Sequence, residues 1–328
     1  MTLTRRPLLL GALAAPFAAP SVATRAAAQG TWPSRPVRII VPFAPGGSVD
    51  TMGRAIAQSI QERTGQTVTV ENRSGANGTV GGLFVAQSAP DGHTLCVSAS
   101  LQTLARLIMR SPGYDPLSDL HPVARMGEGA LILGTNPGRP QATMREIAEA
   151  ARARPQEWSF GTSSLGSAGH LATIEFFRLI GADLTIVPYR GTSAALPDLA
   201  AGRIAGIFDP MLAMTPQVRG GTVRGVAITS PRRNDAVPDI ATTAEQGFPS
   251  VDSQSWWGVW APRGVPDATL AAITEQLRLV SEDAGVRQRL TGLGITTMFE
   301  PGAAFTDYIR RDYARTEQLL RLARFEPE

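Results

Sequence analysis

The chain has 328 residues with 31 basic and 28 acidic side chains, and every basic residue is Arg. Three of these, Arg5, Arg6 and Arg25, lie in the first 28 residues, which hold no Asp or Glu, so the formal charge of +3 belongs to that stretch. The neutral remainder argues against nucleic-acid and membrane-surface binding. Its length and 43% apolar content predict about two globular domains, and the single cysteine, Cys96, excludes an internal disulfide and cysteine-based metal centres.

The first 28 residues have the pattern of a secretory signal peptide. Arg5 and Arg6 precede an apolar run that reaches about Ala19, and Ala26–Ala28 supply small residues for a cleavage site. The run is short and broken by prolines, so it does not predict a membrane span. An ordinary secretory signal and a twin-arginine signal both fit. We therefore expect an exported, soluble, periplasmic protein.

Strands and helices alternate along the rest of the chain. Strands at Val37–Val41, Thr67–Glu71 and Thr94–Ser98 alternate with a helix at Asp50–Arg63 and another that ends near Ser88. This order predicts an α/β fold with a parallel sheet and crossover helices. Further strands are predicted at Gly129–Asn136, Ser159–Gly161, Thr185–Pro188, Ile204–Phe208, Val223–Thr229 and Trp256–Trp260. Further helices are predicted at Met144–Arg154, Asp267–Glu282 and Ala303–Arg324, and two more end at Ile180 and at about Ala201.

One pattern occurs twice in the chain. The strand end at Val41–Phe43 precedes the loop Pro45–Ser48, and a similar strand end at Val187–Tyr189 precedes the loop Arg190–Ser193. Each copy reads as strand, aromatic residue, Gly/Ser loop and helix. Two lobes built on this plan would place the loops opposite each other and leave a ligand cleft between them.

Catalytic motifs are missing from the sequence. The three histidines have no metal-binding spacing, and neither a nucleophile elbow nor a phosphate-binding Walker A sequence occurs. The lack of Lys also excludes Schiff-base chemistry with pyridoxal phosphate. These observations favour a binding protein without metal or cofactor over an enzyme.

Gly/Ser/Thr loops follow several strands and open helices. A helix N-terminus offers unpaired N–H donors and the positive end of a dipole, so such loops bind a carboxylate or phosphate without a charged side chain. Each loop alone is also an ordinary helix cap, but four of them from two lobes favour a shared anion-binding cleft. The four loops are Pro45–Ser48, Ser98–Ser100, Gly161–Ala168 and Arg190–Ser193.

Four polar side chains near these loops have two possible roles each. Asp50 and Asp209 either cap or complement helix N-termini, or accept hydrogen bonds from a ligand or a bridging water. Arg190 either pairs with a second carboxylate or is solvated. His170 begins a helix after a Gly/Ser loop and either contacts the cleft or packs in the core.

The order of these motifs resembles a known family. The stretch Trp32–Asp50 resembles the opening of mature tripartite tricarboxylate transporter substrate-binding proteins, the Bug receptors. The resemblance continues in order along essentially the whole mature chain. Further matching segments are Val70–Arg73, Gly75–Gly78, Ala89–Leu95, Gly161–Ser167, His170–Leu171, Val187–Gly191, Phe208–Asp209 and Trp256–Pro262.

This resemblance implies a type II periplasmic-binding-protein fold, in which two α/β lobes close on a ligand. The lobes would comprise residues 29–127 with 257–328, and residues 128–256. It also implies a monomer that delivers a small organic carboxylate to integral membrane transporter subunits. The family often has Thr where this chain has Val49, so a hydroxyl is missing and citrate is not implied.

Loop positions and resemblance together define the expected ligand-binding set. It comprises Phe43, Ala44, Gly46, Gly47, Ser48, Asp50, Ser98, Ser100, Thr162, Ser163, Gly166, Ser167, Ala168, His170, Tyr189, Arg190, Gly191 and Asp209. The alternative functions are a ligand sensor for a signalling partner and, less favoured by the motifs, an exported enzyme.

Overall fold

The computed structural model of the chain describes Thr2 and residues 32–327, so the predicted signal peptide lies outside the described residues except for Thr2. The strands of the described part are β1 (Val37–Val41), β2 (Val68–Asn72), β3 (Thr94–Ala99), β4 (Leu120–Thr135), β5 (Ser159–Thr162), β6 (Thr185–Pro188), β7 (Gly206–Pro210), β8 (Arg224–Ile228), β9 (Gln254–Pro262) and β10 (Ile295–Pro301). Its helices are α1 (Ser48–Thr64), α2 (Thr79–Ala86), α3 (Ala105–Ile108), α4 (Pro116–Asp119), α5 (Met144–Ala153), α6 (Ala168–Ile180), α7 (Thr192–Ala200), α8 (Met211–Arg219), α9 (Asp267–Glu282), α10 (Ala284–Thr291) and α11 (Gly302–Leu322). Short 3₁₀ turns lie at Ala76–Gly78, Ser100–Thr103 and Pro155–Glu157.

The first β-α unit forms because its apolar residues suit a buried strand and an amphipathic helix. Val37, Ile39 and Val41 of β1 are fully buried and face α1 in one apolar cluster. The helix ends at Gly65, whose φ of 71° is the left-handed conformation that closes many helices. β1 pairs in parallel with β2 and β3, as the strand order predicts.

The long strand β4 belongs to both halves of the sheet. Its first part, Leu120–Ala130, pairs antiparallel with β9 and β10, and its last part, Leu131–Thr135, pairs antiparallel with β7 and β8. The strand order is β2-β1-β3-β9-β4-β7-β5-β6, with β8 and β10 attached to β4. β4 therefore connects one half that contains β1, β3 and β9 with another that contains β5, β6 and β7.

The second half places three helix N-termini at one edge. β5 pairs in parallel with β6 and β7, so the carboxyl ends of these strands share an edge of the sheet. The strands lead into α6, α7 and α8 in that order. This edge therefore collects the loops Gly161–Ala168 and Arg190–Ser193.

Separate apolar clusters fill the two halves. One is built mainly from β1, α1, β3, β9 and α9, and another from β4, α5, β5, α6 and β7. Residues 32–327 nevertheless belong to a single unit by their contacts, so the predicted lobe boundaries stay a prediction. Within residues 32–327, no helix combines the length and the apolarity that a membrane crossing needs.

Candidate functional site

The loop between β1 and α1 leaves the first turn of the helix open. Gly46 has a φ of 83°, in the left-handed region, and Gly47 precedes the helix in an extended conformation. No side chain caps this helix, so its first N–H groups remain available to an anion. Ala44, Gly46 and Gly47 are exposed, and Phe43 and Ser48 are half-buried.

Asp50 holds this loop in place. Its Oδ2 accepts hydrogen bonds from the Gly46 amide and from Arg54 Nε, both at 2.9 Å, and its Oδ1 accepts one from Asn72 Nδ2 at 2.9 Å. Asn72 Nδ2 also donates to the Phe43 carbonyl at 3.0 Å. Burial disfavours the ionised form of Asp50, but the bonds from Arg54, Gly46 and Asn72 outweigh it and lower its pKa. The carboxylate is therefore ionised and engaged within the loop.

The loop before α6 is fixed by its own side chains. The Ser167 hydroxyl caps the helix by accepting the His170 amide at 3.2 Å. The Thr162 hydroxyl donates to the Ser164 carbonyl at 3.0 Å and lies 3.2 Å from Ser167 Oγ. Gly166 takes a left-handed φ of 75° within this loop. The polar groups of Thr162, Ser167 and Gly166 therefore shape the loop.

His170 is a buried part of the same loop. Its Nδ1 accepts the Gly166 amide at 3.0 Å, so the ring proton of the neutral side chain is on Nε2. Burial lowers the pKa of His170 to about 4, which keeps the ring neutral near pH 7. The ring is 2% exposed and packs edge-on against Phe325, with 5.5 Å between ring centroids. Of its two possible roles, the contacts of His170 fit the packing role.

The N-terminus of α7 is open like that of α1. Gly191 precedes the helix with a φ of 106°, and no side chain caps it. The Gly191 amide donates to the Ser163 carbonyl at 2.8 Å, which ties this loop to the one before α6. Tyr189 turns its hydroxyl to Asp198 at 2.8 Å, and burial together with this bond raises the pKa of Tyr189 to about 12. Arg190 is exposed and forms no ion pair with the carboxylates of residues 32–327.

Asp209 lies between these two loops at the end of β7. It is fully buried, and its Oδ1 accepts the Ser163 hydroxyl at 2.8 Å. Its Oδ2 accepts no well-formed hydrogen bond from any described residue. Burial raises the pKa of Asp209 to about 6, and the hydroxyl groups of Thr192 and Ser163 offset part of that effect. A buried polar atom without a partner at two helix N-termini indicates a place for a ligand or an ordered water.

The end of β3 supplies two buried hydroxyl groups. Ser98 is fully buried and its Oγ has no partner among the described residues. Ser100 begins a 3₁₀ turn and, together with Ala168, lines a polar cavity of about 240 Å³. Glu128 and Asp312 lie on the other walls of this cavity. Ser100 and Ala168, from different halves of the sheet, therefore face one cavity.

Contacts between loops bring the predicted residues of both halves together. The Ser164 hydroxyl donates to Asn77 Oδ1 at 2.9 Å, and Phe43 contacts Gly78 in the same turn. Gly166 packs against Ile108, and Phe43 joins the same apolar cluster. The loops after β1, β3 and β5 thus converge on one region.

The predicted residues fall into two sets of contacts. Thr162, Ser163, Ser167, Gly191 and Asp209 belong to one connected network, and Phe43, Gly46 and Asp50 to another. No direct contact joins Asp50 to Asp209 within residues 32–327. The predicted set omits five residues that take part in these networks, namely Arg54, Asn72, Asn77, Ser164 and Thr192. Of these residues, Asn77 has a type that fits its backbone. Its φ of 52° lies in the left-handed region, which Asn tolerates better than most residues.

A larger surface cavity lies away from these loops. It measures about 710 Å³ and is lined by Arg38, Phe84 and Thr94 among others. Arg38 lies near the amino end of β1, whereas the loop Phe43–Ser48 follows the carboxyl end of the same strand. This cavity therefore lies at the opposite end of β1 from the loop. Within residues 32–327, no three His, Cys, Asp or Glu side chains are grouped to hold a metal ion.

Known proteins share both the sequence and the fold of this chain. Protein BugT of Bordetella pertussis is 36% identical over 268 residues, which cover 81% of this chain and 82% of BugT. The solved structure of Rpa4515 from R. palustris with adipate matches with a TM-score of 0.84 and 31% identity, over 90% of this chain and all of Rpa4515. MatC (Rpa3494) from Rhodopseudomonas palustris with bound malate matches with a TM-score of 0.81 and 30% identity, over 88% of this chain and all of MatC.

These similarities confirm the predicted type II periplasmic-binding-protein fold, which solved periplasmic binding proteins share. Residues 52–323 match the family described as tripartite tricarboxylate transporter family receptor. That match includes α1 from Met52 onward, the loops before α6 and α7, and the closing helix α11. The chain belongs to the tripartite tricarboxylate transporter receptor family of solute-binding proteins, as its motifs predict.

Proposed function

We propose that the protein is a periplasmic receptor that captures a small organic carboxylate between its two lobes and delivers it to integral membrane transporter subunits. The observation that carries this proposal is the pair of open helix N-termini at α1 and α7, neither of which has a side-chain cap. Each follows a strand end and a Gly-containing loop. Free N–H groups at such positions bind carboxylates through hydrogen bonds and the helix dipole.

The charge distribution supports a small anion as the ligand. The chain without its first 28 residues is neutral, so bulk charge does not attract the ligand. The first backbone N–H groups of α1 and α7, together with the Gly47 amide, supply local positive potential, and Arg190 is free to contact a second carboxylate. The relatives that hold adipate and malate are bound to carboxylates, which agrees with this chemistry.

Lobe closure is the mechanism that fits a ligand held from both halves. The open form binds the anion at one lobe, and contacts from the second lobe favour the closed form. Ser163, Gly191 and Asp209 would contact the ligand from one lobe, and the loop Phe43–Ser48 from the other. We infer that the receptor acts as a monomer, as the resemblance to the Bug receptors implies. The groups that residues 32–327 bring to the site favour a binding role over a catalytic one.

A thermal-shift measurement on the purified protein without its first 28 residues tests this function. The panel contains malate, adipate, citrate and benzoate, with glucose and putrescine as matched neutral and cationic controls. Saturation with a true ligand stabilises the folded state by about 2.7 kcal/mol when its concentration is 100-fold above Kd. We expect at least one carboxylate to raise Tm. A rise with glucose or putrescine alone would refute the carboxylate proposal.

A further inference from the structure

When Asp209 is ionised, its carboxylate repels an anion bound beside it. The carboxyl lies at the loops that begin α6 and α7, where the proposed function places the ligand carboxylate. It is fully buried, and no residue among 32–327 donates to its Oδ2 with hydrogen-bond geometry, although the Thr192 hydroxyl lies close enough to the carboxyl to lower its pKa. Two carboxylates in one buried site repel each other strongly, and such pairs hold one proton between them.

We propose that Asp209 is a specificity-determining residue that holds the ligand carboxylate through one shared proton. This inference rests on the proposed function. On binding, one proton passes from solvent to Asp209 Oδ2, which then donates a hydrogen bond to a ligand oxygen. Oδ1 continues to accept the Ser163 hydroxyl, so both oxygens of the carboxyl are satisfied. The site thereby selects an anion that can accept a hydrogen bond from a neutral acid.

The surroundings of Asp209 favour the protonated form of its carboxyl group. Burial raises its pKa to about 6 before any ligand is present, and an adjacent anion raises it further. No charged side chain contributes to that shift. The titratable groups on the helices packed around it are His170, Glu175 and Arg178 on α6, Tyr189 and Arg190 before α7, Asp198 on α7 and Arg219 on α8. The segments of β4 and β5 that pair with β7 hold none. His170 has a pKa of about 4 and Tyr189 of about 12, so neither titrates between pH 6 and pH 8.5.

Adipate and malate are informative probes because only malate carries a hydroxyl donor. Malate and adipate are almost fully ionised above about pH 7, so any titration above that pH belongs to the protein. Calorimetry of the wild type in two buffers of different ionisation enthalpy measures the protons taken up on binding. We expect uptake of about one proton per ligand at about pH 7.5, and affinity that falls roughly tenfold per pH unit above pH 7. Adipate should show this as clearly as malate.

Asp209→Asn provides a second, independent measurement. The Ser163 hydroxyl keeps the amide oxygen at the Oδ1 position, so the amide nitrogen takes the Oδ2 position and donates permanently. We expect D209N to bind at least about tenfold more tightly than the wild type near pH 8, with affinity independent of pH. Asp183→Asn changes an exposed carboxylate in the same half and should behave like the wild type.

The possible results distinguish a failure of the Asp209 proposal from a failure of the proposed carboxylate-receptor function. Binding of a carboxylate without proton uptake overturns the role of Asp209 and leaves the receptor function intact. A second result would also overturn the role of Asp209: a preference for malate, together with weaker binding at lower pH and a loss of affinity in D209N. That combination would show that Asp209 is ionised and accepts a hydrogen bond from the malate hydroxyl. If no carboxylate in the panel binds between pH 6 and pH 8.5, both proposals fail.

Discussion

The Ser164 hydroxyl donates a 2.9 Å hydrogen bond to Asn77 Oδ1 and joins the loop before α6 to the turn before α2. The two residues lie 87 positions apart in the chain, on opposite halves of the sheet. Both loops border the region where the ligand is proposed to bind. This bond therefore belongs to the arrangement in which the two halves meet, and it would be lost when they separate.

Removal of this bond should weaken ligand capture. Ser164→Ala removes the donor, and a neutral hydrogen bond contributes about 0.5–1.5 kcal/mol, so we expect ligand affinity to fall by up to about tenfold. Titration calorimetry of Ser164→Ala, Asn77→Ala and the double variant measures the coupling between the two side chains. Ser118→Ala, at an exposed position of α4 away from these loops, serves as the control. Strictly additive losses would show that the bond does not contribute to the bound state.

Removal of the Asp50 carboxylate should release the β1–α1 loop. Asp50→Ala leaves the Gly46 amide, Arg54 and Asn72 without their acceptor. Arg54 is about half exposed and regains water, so we expect a modest destabilisation of about 1–2 kcal/mol together with weaker ligand binding. Urea unfolding and calorimetry at neutral pH measure the two effects. Asp235→Asn, at an exposed position, is the control.

The stabilising effect of Asp50 depends on pH in a defined direction. Its pKa is lowered in the folded state, so the stabilisation is complete above the unfolded value near 3.8. It is lost as the pH falls through the lower folded pKa. Wild type and Asp50→Ala should therefore differ in stability near neutral pH and converge in strong acid. A difference that stays constant across this range would contradict the assigned role.

Local patterns predict the regular elements of this protein better than the contacts between them. The strand Val37–Val41 and the helix Asp267–Glu282 are predicted with the bounds they have in the structure. The strand predicted at Gly129–Asn136 begins nine residues earlier, at Leu120. Pro122 lies at a bulge of this strand, and proline is uncommon inside a strand. The buried Arg125 is paired with Glu300 of β10. Because a proline and a charged residue interrupt the apolar pattern, the sequence around them does not predict a strand.

The site shows the same division between local and distant information. Gly-rich loops identify where the helices begin, because glycine and serine determine the geometry of a loop over a few residues. The partners of Asp50 cannot be read in this way, since Asn72 reaches it from the neighbouring strand. The missing partner of Asp209 Oδ2 depends on packing that the sequence does not encode locally.

His170 should make the protein less stable in mild acid. Its pKa of about 4 lies below the usual value near 6.5, so the unfolded chain binds the proton more readily. The contribution of His170 to stability is complete above about pH 6.5 and falls by up to about 3 kcal/mol as the pH approaches 4, whereas Asp209, with its raised pKa, acts in the opposite direction. His170→Asn keeps an acceptor for the Gly166 amide and removes the titration. Urea unfolding between these pH values should show the variant gaining stability relative to the wild type as the pH falls, and a constant difference between the two proteins would disprove this source of acid sensitivity.

Two adjacent glycines in the β1–α1 loop should respond differently to substitution. Gly46 has a φ of 83°, and a left-handed conformation costs a residue with a Cβ about 1–2 kcal/mol. Gly47 has a φ of −79°, and an added Cβ would come no closer than 3.7 Å to the Ala44 carbonyl oxygen. We expect Gly46→Ala to lower the free energy of unfolding by about 1 kcal/mol and Gly47→Ala to leave it unchanged. Urea unfolding of both variants tests this difference.

The same pair separates loop shape from ligand contact. Gly47→Ala keeps the loop conformation but adds a methyl group at the open N-terminus of α1, where the carboxylate is proposed to approach. It should therefore weaken binding of the carboxylate identified by thermal shift while stability remains at the wild-type value. Gly46→Ala should weaken binding in proportion to its distortion of the loop. Full affinity in Gly47→Ala would place the ligand away from the N-terminus of α1.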